Sequence, residues 1–135
     1  MGSQVYAGID YEKLAALIDY AKLRWGIPRE PVWIDGAETT APAAGTALVS
    51  KTVSTGKTGR VFGVHICTPE ANEFQLLTGT TVVKRFSAAA ASVIHIVLGT
   101  PLKDNIPAGT AITIKNVNAG SAGKTYQTSI LYDEG

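Results

Sequence analysis

Residues 59–78 read GRVFGVHICTPEANEFQLLT. Phe62, Val64 and Ile66 recur at every second position, which places them on one face of a strand. Thr68-Pro69-Glu70-Ala71-Asn72 is turn chemistry, and a second β-rich run comes after it. Reading outward from this pair, strands are predicted at about 47–54, 60–67, 72–78, 80–86, 91–98, 110–117 and 124–132. Ser54 to Gly59 is a turn between the first two, and Gly79 separates the middle pair. Pro101 to Gly109 is a longer connection, and Asn118 to Gly123 links the last two strands. Ile94, Ile96 and Leu98 repeat the alternation, and Tyr126, Thr128, Ile130 and Tyr132 repeat it more weakly. Short strands at this spacing predict a mainly β fold, an antiparallel sandwich or a jelly-roll-like barrel of about seven to eight strands. Helix and strand do not alternate, so a doubly wound nucleotide-binding fold is not expected.

Ahead of the strands the text changes. Asp10 is a good N-cap, and Leu14, Leu17, Ile18, Ala21 and Trp25 recur at helical spacing after it. Gly26 suits the C′ position and Pro28 blocks continuation. From Ile27 to Gly45, Pro28, Pro31 and Pro42 favour an extended tether, with Pro31-Val32-Trp33-Ile34 as an apolar anchor. Ala37 to Gly45 is small and turn-rich and reads as a hinge. The division expected is therefore a helix and arm over 1–46 and a β-sandwich body over 47–135. The arm is mildly acidic, net −2, and the body mildly basic, net +3. The helix stripe must be buried against its own body, a neighbouring subunit or another partner.

Length and composition narrow the function. At 135 residues the chain suits one domain with a short appendage. A net charge of +1 argues against nucleic acid or an anionic membrane as a main partner. The charged fraction, 17 %, is below the usual ~25 %. Large surfaces that need not face water are implied. Cys67 is the single cysteine, so no disulfide forms within a chain. No apolar run approaches the ~20 residues of a membrane span, and Met1 to Ile9 has no signal-peptide pattern.

Few residues suggest chemistry. Asn118 to Thr125 misses GxxxxGKT only at its first position, yet residues 126–130 read as strand where a phosphate loop needs a helix. Gly56-Lys57-Thr58 fails likewise, with Lys51 at the first position and Val61-Phe62 as strand after it. His65 and Cys67 share a strand face, and His95 joins them if its strand lies alongside. That set admits a zinc site or a Cys–His nucleophile, but it lacks metal-ligand spacing, and a cysteine is commonly a small buried hydrophobe. Histidines at a subunit contact would make assembly pH-sensitive. Glu70 and Glu73 form a carboxylate pair only if turn geometry allows it. Phe62, Phe74 and Phe86 are needed for core, which leaves a sugar-binding face short of aromatics. No cofactor or metal is expected.

A short helix and tether before a low-charge, Gly/Thr/Ala-rich sandwich resembles small accessory proteins of tailed-phage heads and fibres. Gly59-Arg60-Val61-Phe62-Gly63-Val64-His65-Ile66 and Asn105-Ile106-Pro107-Ala108-Gly109-Thr110-Ala111-Ile112 carry that likeness. The resemblance implies a jelly-roll-like module, often trimeric, that binds a capsid lattice or a host surface, and it brings no catalytic residues. The expectation is a non-enzymatic virion protein, assembled in the host cytoplasm, that decorates or stabilises a phage capsid. Its partners would be itself, as a homotrimer, and the major capsid protein or another virion protein. The alternatives are a receptor- or glycan-binding fibre module, and an enzyme or host regulator. Leu14, Leu17, Ile18, Trp25, Val32, Trp33 and Ile34 are the expected interface residues. Trp25 and Trp33 lead this set because tryptophan is enriched at interface hot spots.

Overall fold

β4 (Gly59–Thr68) and β10 (Thr125–Glu134) lie antiparallel through nearly their whole length and form the spine of the molecule. The computed structural model describes residues 30–135, together with Lys13 and Ala16. Against β10 lie β1 (Val32–Asp35) and the two-residue β2 (Thr39–Thr40). Against β4 lie β7 (Ser92–Val97) and β8 (Lys103–Ile106). These make a six-stranded sheet. A four-stranded sheet runs in the order β3 (Ala47–Thr52), β9 (Ala111–Asn116), β5 (Asn72–Thr78), β6 (Thr81–Ala88). All pairings are antiparallel. The predicted β class stands, and the seven strands expected all form. The barrel alternative does not, because the strands divide into two separate sheets.

The core lies between the sheets. Val64, Ile66, Ile130 and Tyr132 enter it from one side, and Phe74, Leu76, Ile112 and Ile114 from the other. The expected alternation along β4 slips at one place. Leu131 pairs with Gly63 but Tyr132 pairs with Val61, so Phe62 is the extra residue of a bulge. Val61, rather than Phe62, therefore joins Val64 and Ile66 in the core. Ile94 and Ile96 pack against that core, while Leu98 lies past the end of β7 and is exposed. At Gly63 a Cβ would collide with the carbonyl oxygen of Ile96, so this glycine permits the close approach of β7.

The tether is part of the sandwich. Val32 to Asp35 pair with Tyr132 to Ser129, and Thr39 and Thr40 with Tyr126 and Thr125. The segment read as a hinge is pinned. Ala41 N–H donates to the Lys124 carbonyl at 2.9 Å, Gly120 N–H to that of Pro42 at 2.7 Å, and Gly45 N–H to that of Asn116 at 2.8 Å. Within the connection read from Pro101 to Gly109, Lys103–Ile106 pairs with β4 and buries Ile106. The helix expected from Asp10 to Trp25 lies, apart from Lys13 and Ala16, outside the described residues.

Two polar clasps close the sandwich. In one, the buried Asn116 amide donates to the carbonyls of Ala43 and Asn118, both at 2.9 Å. Beside it Tyr126 donates to Glu70 at 2.7 Å, and Asn72 donates to Tyr126 at 3.1 Å. In the other, Glu134 accepts from the Ser54 hydroxyl at 2.6 Å, the Ser54 N–H at 3.0 Å and the Tyr132 hydroxyl at 2.7 Å.

Candidate functional site

Alternation along a strand sends every second residue away from the core. On the six-stranded sheet the register aligns these outward residues into rows. One row reads Val97, Gly63, Leu131, Trp33 across β7, β4, β10 and β1. The next reads His95, His65, Ser129, Asp35, and beyond it lie Val93, Cys67 and Gln127. Asp35 is the only carboxylate in these rows, and the two imidazoles are the only bases. Val93 is 58 % exposed, Val97 52 % and Trp33 39 %.

The centre of this face is a shallow groove of about 330 Å³ lined by Trp33, Asp35, His65, His95 and Ser129. His65 and His95 are directly opposed, and their Nδ1 atoms lie 2.8 Å apart. A hydrogen bond at that distance requires one Nδ1 to carry a proton and the other to be bare. The indole of Trp33 lies 5.6 Å from the His95 ring and 6.3 Å from the His65 ring. Ser129 donates to Asp35 Oδ1 at 2.7 Å, which gives the exposed carboxylate a partner within the face.

The grouping of His65, Cys67 and His95 expected from sequence is realised, but not as a metal centre. Cys67 Sγ lies 3.2 Å from Nε2 of His65, whereas His95 meets Nδ1 on the other edge of the same ring. Cys67 and His95 face different edges of the His65 imidazole, so the three do not converge on a point. Among the described residues no group of three or more His, Cys, Asp or Glu is placed to hold a metal ion. Chemically, the arrangement lets His65 accept a proton from the Cys67 thiol while His95 fixes the ring.

The remaining candidates have structural work. Glu70 also accepts from the Ser121 N–H at 2.9 Å, and hydrogen bonds from Ser121 and then Tyr126 hold its carboxyl below the usual range. Glu73 stands on the outward face of β5, away from that network. Asn118 to Lys124 links β9 to β10, and a strand, not a helix, comes after the glycine run. Of the expected interface residues, Leu14, Leu17, Ile18 and Trp25 lie outside the described residues. Val32 is exposed at the start of β1, Trp33 stands in the groove, and Ile34 packs against the core. The pairing of His95 with His65 and the row from Ser129 to Asp35 depend on register, which the sequence leaves open. The signal for them is the parity of Trp33 and Asp35 on a four-residue run.

No protein-family model, curated protein or solved structure matches the chain. The phage resemblance therefore rests on the sequence alone. No helix among the described residues is long and apolar enough to cross a membrane.

Proposed function

We propose that this chain is a non-enzymatic structural protein of a virion, decorating or stabilising a phage capsid through contacts with itself and with the major capsid protein or another virion protein. One observation carries the reading: the outer face of the six-stranded sheet exposes Trp33, Val93 and Val97 around a groove whose one carboxylate is Asp35. Large exposed apolar patches mark interaction surfaces. The helix that the sequence predicts over 10–25, with Leu14, Leu17, Ile18 and Trp25 at helical spacing, would add a second apolar surface in need of cover. A closed homotrimer is the simplest assembly consistent with the resemblance. Native mass, measured by light scattering for the chain alone and after mixing with candidate capsids, tests it. A monomer that binds no capsid overturns it.

A second reading has its own support. Trp33 beside two imidazoles and Asp35, in an open groove on a flat sheet, suits the seating of a sugar ring, as a glycan-binding fibre module would need. Titration of a Trp25→Phe variant with a panel of glycans, read by Trp33 fluorescence, distinguishes the two. A saturable change with one glycan supports this second reading.

A further inference from the structure

We infer that Cys67 is a reactive thiol that exchanges with small-molecule disulfides, with His65 as the base that ionises it and His95 as the residue that positions that base. The site stands apart from the assembly role and does not depend on it. A structural cysteine is buried in apolar surroundings and is inert. Cys67 instead stands half-buried on the outward face of β4, between the exposed Val93 of β7 and the exposed Gln127 of β10. Its Sγ lies 3.2 Å from Nε2 of His65, which shares its face of the strand. On the other edge of that ring, Nδ1 lies 2.8 Å from Nδ1 of His95, directly across on β7. A nucleophile within hydrogen-bond reach of a base, with that base held by a third group, is the arrangement that activates a thiol.

The protons decide what this row does. When the thiol proton moves to Nε2, His65 becomes an imidazolium with two N–H groups. One donates to the thiolate and the other to the bare Nδ1 of His95, so both are used. The groups facing the pair favour this state. From β7 comes His95, neutral when its Nδ1 accepts, and from β10 come Ser129 and Gln127, which carry no charge. From β1 comes Asp35, whose carboxylate lines the same open groove as His65 and favours a cation there. In the exchange, the Cys67 thiolate attacks one sulfur of a disulfide. A new S–S bond forms to Cys67, the S–S bond of the reagent breaks, and the departing thiolate takes the proton from His65. Cys67 ends as a mixed disulfide, and the other half of the reagent leaves as a reduced thiol.

Dithiodipyridine, a neutral disulfide that releases a coloured thione, is the probe. Its second-order rate is measured from about pH 5 to 9 for the native full-length chain, for the same chain unfolded in urea, and for His65→Gln, His95→Leu and His95→Gln. Far-UV circular dichroism checks each fold, and mass spectrometry counts the group added at Cys67. At about pH 6 the native chain should react at least about tenfold faster than the unfolded one, and the gap should close toward about pH 9, where an ordinary thiol ionises unaided. His65→Gln should bring the rate down to that of the unfolded chain or below. His95→Leu should lower the rate at about pH 6 at least about threefold, and His95→Gln, whose amide oxygen accepts the same N–H, should restore most of it. A native chain no faster than the unfolded one at about pH 6 overturns the inference, whether or not any variant folds. A His65→Gln chain as fast as the wild type overturns His65 as the base, and equal rates in His95→Leu and the wild type overturn the positioning role of His95.

Discussion

On the six-stranded sheet one outward row reads Val97, Gly63, Leu131, Trp33; on the four-stranded sheet a comparable outward row reads Ala47, Lys115, Gln75, Arg85. Beside the second row stand Glu73 and Ser87, and Ser50 with Thr113 at 3.3 Å. The inward rows of the two sheets are alike, being Val, Ile, Leu and aromatic residues packed into one core. Folding dictates the inward rows and leaves the outward ones free. The outward rows therefore report what each face meets. Full burial of a side chain such as Val or Trp is worth roughly 1.5–3 kcal/mol. A face that leaves several in water forgoes that gain unless a partner supplies it, whereas Lys115, Gln75 and Arg85 are content in solvent.

The sharpest way to break this comparison is to charge each face in turn. Trp33→Glu should abolish self-association at micromolar concentration, because the substitution puts a carboxylate in place of the largest exposed side chain of the apolar row. Gln75→Glu, placed between Lys115 and Arg85, should leave the native mass unchanged. Light scattering of both variants checks the pair. Equal behaviour would mean that the apolar face is not the contact surface.

The next effect concerns the frame that supports the apolar face. Gly63→Ala drives a methyl into the Ile96 carbonyl, and β7 must move away from β4. We expect a loss of about 2–3 kcal/mol in urea unfolding and a weaker hold on His95 and Val97. The outward polar sheet has no such constriction at Gln75, so Gln75→Ala should cost under about 0.5 kcal/mol.

Much of this division is legible in the sequence, and its gaps have physical causes. β-Branched runs between turn signals locate every strand of the four-stranded sheet and three of the six-stranded one, and a period of two supports those three. Val32–Asp35 escapes it because the run is short and flanked by Pro31 and Gly36, which read as tether. It is a strand because β10 offers it an unpaired edge. Lys103–Ile106 has no β-branched residue except Ile106, and only its pairing with β4 makes it a strand. Periodicity puts Phe62 on the wrong face because a bulge adds one residue, which a count of alternating positions cannot see. The groove needs all of this. It takes a residue from each of four strands, and one register slip would separate His95 from His65 and Asp35 from Ser129.

Acid and alkali test the clasp beneath both faces. Hydrogen bonds, first from Ser54 and then from Tyr132, hold the Glu134 carboxyl down at about 2, against an ordinary 4.5. Burial, with Glu134 close by, raises the Tyr132 phenol above its ordinary 10.0. A depressed acid contributes stability that is present above its unfolded value, so that share should fade as pH drops from 4.5 toward 2. A raised phenol contributes below its unfolded value, so that share should fade as pH rises past 10. Ser54→Ala should flatten the acid limb of the curve, measured by thermal unfolding from pH 2 to 6, and leave the alkaline limb in place.

The smallest effect compares one serine on each face. Ser50, exposed, and Thr113, buried, share a long hydrogen bond of 3.3 Å on the polar face, a weak bond to lose. Ser50→Ala should therefore change stability by less than about 0.5 kcal/mol. Ser129 is buried and donates to Asp35 at 2.7 Å on the apolar face. Its loss takes away the donor that the carboxylate meets within the face, and a polar group stripped of its partner costs about 1–3 kcal/mol where water cannot enter. In the monomer the open groove admits water, so Ser129→Ala should be mild, under about 1 kcal/mol. In an assembly that covers the groove the same substitution should weaken subunit contact by a further factor of about 5 to 10. A concentration series of native masses for Ser129→Ala against wild type measures that excess. An excess confined to the assembled state would show that the face is closed to water there. The same small cost at every concentration would show that it stays open, and would set the two faces on equal terms with solvent.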